Sequence, residues 1–97
     1  MFQIVKKVGD EMTLEYLCKK YGMKINCTGT HYIAFIIDNC LLMDFCNITK
    51  VYEMAAKQFG TTSKKVERAI RYTKETAGFG KTKNSEFLFE VKNNYKK

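Results

Sequence analysis

His31 is the only histidine in the chain, and no serine or cysteine stands at a recognisable catalytic spacing from it. A lone imidazole beside an apolar run reads as a capping or surface residue rather than a general base. Asp38 and Asp44 are i,i+6, so they do not share a helical face as a carboxylate pair must. Gly78-Phe79-Gly80-Lys81 lacks the preceding strand and the spacing of a phosphate loop. Cys18, Cys27, Cys40 and Cys46 show no CxxC pairing, and without a second histidine they form no zinc set. They are read as free thiols serving as small core hydrophobes in a reducing compartment. The expectation is a protein that is not an enzyme, with no metal, no cofactor and no evident small-molecule ligand.

What remains is charge. Through Thr49 five lysines face five carboxylates, whereas from Lys50 onward twelve basic residues face five acidic ones, so the net charge of +7 lies wholly in the second half. A neutral scaffold joined to a basic surface is the pattern of a protein that meets a polyanion. The informative stretch is Thr62 to Glu75. If Val66, Ala69, Ile70 and Thr73 form its inward stripe, then Thr62, Ser63, Lys64, Lys65, Glu67, Arg68, Arg71 and Lys74 are left toward solvent. Arg68 suits a bidentate contact to guanine O6 and N7, and Glu67 suits a cytosine amino group or an i,i+4 salt bridge to Arg71. Lys64, Lys65, Arg71 and Lys74 suit phosphates, which a flexible or forked cation finds without a base pattern.

Ninety-seven residues with no proline and six glycines leave room for about one folded domain, expected over 1–97. Leu14, Leu17, Cys18 and Tyr21 trace a first helix that Gly22 ends, and Thr28 or Thr30 can cap the next. Tyr32 to Phe45, apolar nearly all round, is expected to be the buried central helix. Asn47, Ile48 and Thr49 start a short helix carrying Val51, Met54, Ala55 and Phe59, which stops at Gly60. Thr61 or Thr62 then caps a longer helix closed by Gly78 and Gly80, and Asn84 or Ser85 opens a last one with Phe87, Leu88, Val91 and Tyr95 on one face. Only Phe2 to Val5 reads as a strand. The fold class is all-α, a small bundle of about five helices.

Two of these helices meet the spacing rules of a helix-turn-helix, placed at about 50–76. Over Tyr52 to Arg71 the fifth position needs a small residue and holds Ala56; the ninth needs glycine and holds Gly60. The fifteenth needs a branched aliphatic and holds Val66, while the buried fourth and eighth are Ala55 and Phe59. No secretory leader is visible at Met1 to Val8, and Tyr32 to Cys46 is too short and too charged to span a bilayer. A cytoplasmic protein without a membrane partner is expected.

Ile48-Thr49-Lys50-Val51, Gly60-Thr61-Thr62, Val66-Glu67-Arg68-Ala69-Ile70-Arg71 and Asn84-Ser85-Glu86-Phe87 closely resemble the C-terminal DNA-binding effector domain of the response regulator that initiates sporulation in Firmicutes. The resemblance runs from about Leu17 to Tyr95 and is strongest over Ile48 to Tyr72. It implies an all-helical domain that binds promoter DNA in the major groove, often in tandem copies, with Lys65, Glu67 and Arg68 at positions that read the site; a dimer or tandem copies on DNA is the expected partner state.

Three departures bound that implication. A start methionine followed by one domain of length leaves no room for the family's phosphoryl-accepting receiver domain, so control by phosphorylation in cis is not implied. Thr76 to Lys83 is a short link where the family carries a further helix and loop tied to dimer contacts and polymerase activation, which makes repression or simple occupancy easier to reach. Lys64-Lys65 stands where the family more often has Ser-Arg, and lysine does not reproduce a bidentate arginine contact. The leading expectation is a sequence-specific binder of double-stranded DNA that regulates transcription. The alternative is a helical interaction module that pairs with or antagonises a full-length regulator without binding DNA.

Overall fold

The computed structural model describes residues 11–95: α1 (Glu11–Tyr21), α2 (Thr28–Asn39), a 3-10 helix (Leu42–Asn47), α3 (Ile48–Phe59), α4 (Ser63–Thr76) and α5 (Asn84–Asn94). Glycines at positive φ follow α1 and α3, and Thr62 caps α4, whereas α2, α3 and α5 start without a side-chain cap. The five α-helices are those expected, and no strand occurs among the described residues. The expected strand at Phe2 to Val5 lies outside them.

α2 is the centre. Tyr32 through Ile37 are all buried, and the helix packs against α1, α3, α4 and α5. Those neighbours cover its apolar middle, while His31 and Asp38 are half-buried and Thr28 and Asn39 at its two ends are exposed. The expected central helix, Tyr32 to Phe45, is corrected at both ends. It starts at Thr28, with Cys27 at the cap position and no side-chain cap. Thr30 does not cap it either: its hydroxyl donates to the Lys24 carbonyl at 2.7 Å and ties down the preceding connection. It stops at Asn39, whose side-chain amide donates to the Phe35 carbonyl at 2.8 Å. Cys40 is extended, and the Leu41 amide then donates to Asp44 Oδ2 at 2.7 Å, which starts the separate 3-10 helix. A local side-chain acceptor has outcompeted helical continuation in an apolar run. Beyond the break, Lys92 of α5 donates to the Ile37 carbonyl at 2.7 Å, satisfying one of the carbonyls that a helix end leaves open.

The cysteines divide. Cys40 is buried as expected, but Cys18 and Cys27 are half-buried and Cys46 is exposed, so the last is no core residue; none is in a disulfide. Burial pushes the Cys40 thiol up to about 11, with the neighbouring Asp44 carboxylate adding to the effect against Lys92.

Candidate nucleic-acid interface

α3 and α4 cross with nothing larger than a methyl where the spacing requires it. Ala55 and Ala56 are buried on α3, and Val66 closes α4 onto them with no exposure. Phe59 fills the other side of the junction, edge-on to Tyr32 and Phe35 with ring centroids 4.9 and 5.7 Å away. The turn between the helices is set by Gly60, at φ 66°, a left-handed conformation that glycine adopts without strain. The Thr61 amide reaches back to the Ala56 carbonyl at 2.9 Å, closing α3. Thr62 then caps α4, its hydroxyl accepting from the Lys65 amide at 3.2 Å.

Val66, Ile70 and Thr73 point inward. On the other side Thr62, Lys64, Lys65, Arg68 and Arg71 are exposed, and Ser63 and Glu67 are half-buried. Glu67 and Arg71 form an ion pair at 3.1 Å. Lys64, Lys65 and Arg68 have no ion-pair partner among the described residues. No acidic residue sits in the first turn of α4, and Lys64 and Lys65 occupy it. The helix dipole makes that end positive, so two lysines there cost local stability unless an anion meets them.

Lys74 is the correction. It was expected on the solvent side, yet it is only 3% exposed, and its Nζ donates to the Thr82 carbonyl. It lies eight residues beyond Val66 and four beyond Ile70, on the buried stripe, and the link after α4 folds back over it: the Phe79 amide bonds the Lys74 carbonyl at 2.9 Å and the Gly78 amide bonds that of Glu75 at 3.0 Å. A side chain held there is removed from the set available to phosphates.

Asn84 was expected only as a cap. It is instead the first residue of α5, with Lys83 at the cap position. Its side-chain amide donates both to the Tyr52 hydroxyl, at 3.1 Å, and to the Glu67 carbonyl, at 3.3 Å, bracing α3 and α4 together. Tyr72 is 63% exposed on α4, although an aromatic side chain ordinarily turns inward. An open recess beside the turn brings Lys50 and Lys57 of α3 next to Thr61 and Ser63, but Asp44 and Glu53 line it too and balance their charge.

Elsewhere the chemistry stays bland. His31 Nε2 bonds the Ile25 carbonyl at 2.6 Å, and no group of three His, Cys, Asp or Glu that could hold a metal exists among the described residues. No helix among them is long and apolar enough to cross a membrane. Compared with known proteins, residues 14–97 match the family model described as sporulation initiation factor Spo0A C terminal. No curated protein and no solved structure matches the chain significantly.

Proposed function

The chain belongs to the Spo0A C-terminal family, a family of DNA-binding effector domains rather than of catalysts, and from that premise we propose that it binds double-stranded DNA sequence-specifically through the major groove and regulates transcription. One observation carries the proposal: Lys64, Lys65 and Arg68 stand exposed and without ion-pair partners on the first turns of a helix held by a glycine turn. The N-terminal part of such a helix is what reaches base edges. Arg68 takes the bidentate guanine contact; Lys64, Lys65 and the hydroxyls of Thr62 and Ser63 take phosphates. Arg71 and Glu67 take part once their mutual ion pair opens. The proposal places the protein in the cytoplasm and extends to two copies side by side on DNA, which the stoichiometry of the complex reads.

The test selects duplexes from a randomised pool and follows binding by fluorescence anisotropy across salt concentrations. Affinity falls steeply with salt, and Lys64→Ala lowers the slope of log affinity against log salt by about one. Arg68→Ala relaxes preference at one base pair by about 1–3 kcal/mol. No duplex binding at low salt, or no effect of either substitution, sinks the proposal. A stable complex with a full-length regulator, unaffected when Lys64, Lys65, Arg68 and Arg71 are neutralised together, would establish the interaction-module reading instead.

A further inference from the structure

Beside the exposed face of α4, the first turn of α2 forms one wall of a recess of about 390 Å³. Asn26, Thr28 and Gly29 line it from one side, and Arg68, Tyr72 and Thr73 of α4 from the other; no carboxylate lines it. α2 enters it uncapped, with no side-chain cap at Cys27 and no acidic residue in the first turn. The amides of Thr28 and Gly29 therefore lie among the donors that a helix start leaves without intrahelical acceptors. A second observation is independent of the helix end. Thr73 is only 2% exposed, lines the same recess against Gly29, and carries a buried hydroxyl with no hydrogen-bond partner. Arg68 at the rim is unpaired among the described residues, and the Tyr72 ring is largely exposed.

Surplus donors, a positive helix end and a guanidinium, with no carboxylate among them, describe a place for an anion. Its position alongside the outward face of α4 specifies which anion. We propose that this recess holds a backbone phosphate of the DNA strand flanking the groove that α4 enters, with the Thr28 and Gly29 amides, the Asn26 side chain and the Tyr72 hydroxyl donating to it. Arg68 has five N–H donors, so a bidentate base contact leaves others to face this phosphate. The inference rests on reading α4 as the helix that enters DNA. It adds a function for α2: a phosphate fixed at its first turn sets how deeply and at what register α4 sits, because the two helices touch at Gly29 and Thr73.

Thr28→Asp separates this contact from folding, since the two respond with opposite sign. A carboxylate in the first turn of α2 favours the helix and repels a phosphate. The expected result is a melting temperature equal to or above the parent's, with affinity for the selected duplex down roughly tenfold or more, the size of one lost charge-assisted hydrogen bond. Asn93→Asp makes the same charge change at an exposed site on α5, next to the lysine that bonds Ile37 at the far end of α2, and lowers affinity about twofold at most. The Thr28→Asp loss persists in an Arg68→Ala background, which excludes simple capture of the guanidinium. Tyr72→Phe, at an exposed residue, weakens binding without unfolding. Duplexes carrying single neutral methylphosphonates locate the contact: one position weakens the parent and has no further effect on Thr28→Asp. If Thr28→Asp binds as Asn93→Asp does and no methylphosphonate position couples to it, the recess holds no phosphate while DNA binding stands; if the parent binds no duplex, both fall.

Discussion

The Asn84 side-chain amide donates to the Tyr52 hydroxyl across 3.1 Å, joining two residues 32 positions apart in sequence. Its second proton goes to the Glu67 carbonyl, so one amide holds the first residue of α5 against both helices of the helix-turn-helix. Burial raises the pKa of Tyr52, and the hydrogen bond from Asn84 opposes that rise by favouring the ionised oxygen.

Asn84→Ala is expected to destabilise the fold by about 1–3 kcal/mol, because it leaves the buried Tyr52 hydroxyl without its donor and removes the second hydrogen bond to the Glu67 carbonyl. Urea unfolding measures the loss. A spectrophotometric titration should show the Tyr52 hydroxyl ionising at still higher pH than in the parent, which distinguishes loss of this bond from a general loosening.

Gly29 has no room for a side chain. A Cβ there would overlap the Thr73 hydroxyl and the Ala69 carbonyl, the second of which is backbone and cannot rotate away. Gly29→Ala should therefore cost about 1–3 kcal/mol or more by overpacking, and adding Thr73→Ala should recover little of it. Gly22→Ala, where nothing lies within 4 Å and only the positive φ opposes it, should cost about 1 kcal/mol. Thermal denaturation of the three variants checks the ranking.

Lys74 and Lys64 should part company when each is replaced by methionine. Lys64→Met reduces DNA affinity and its salt slope, whereas Lys74→Met leaves the slope unchanged, since that side chain is turned inward to Thr82. Lys74→Ala should instead lower stability by about 1–3 kcal/mol, through the unpaired carbonyl and the lost packing of the stem. Equal salt slopes for the Lys64→Met and Lys74→Met variants would contradict the inward placement.

Alkaline pH should destabilise the fold. Burial raises Tyr16 to about 12 and raises Tyr52 as well, so the folded chain holds these protons more tightly than the unfolded chain does. Their contribution is complete below about pH 10, the ordinary tyrosine value, and is lost as pH rises from there toward 12. Circular dichroism with tyrosinate absorbance across that window should show ionisation and unfolding rising together.

The helix-turn-helix was legible because its requirements are local. Ala56, Gly60 and Val66 each answer a steric demand within twenty residues, and the structure places them accordingly. The break after Asn39 was not legible, because it depends on Asp44 capturing the Leu41 amide in a stretch whose apolar pattern reads as one helix. Lys74 was misplaced because its surroundings are set by the path of the link after α4. Its i+4 spacing from Ile70 was the signal available. Cys46 failed for a related reason: apolar neighbours in sequence put it on a 3-10 helix whose outer side faces water. Asn84 and Gly29 act through contacts 17 to 44 residues distant, which no periodicity reports.

On the proposed reading of α4, the Glu67–Arg71 ion pair would bear on discrimination as well as making a small contribution to helix stability. In the free chain the two side chains cancel each other's charge. If α4 enters DNA as proposed, a duplex that draws Arg71 toward a phosphate would leave a bare carboxylate facing a polyanion unless its sequence offers Glu67 an amino group. Under that proposal, opening the pair would be penalised on generic DNA and compensated on a matching site, so the internal salt bridge would raise the contrast between right and wrong sequences.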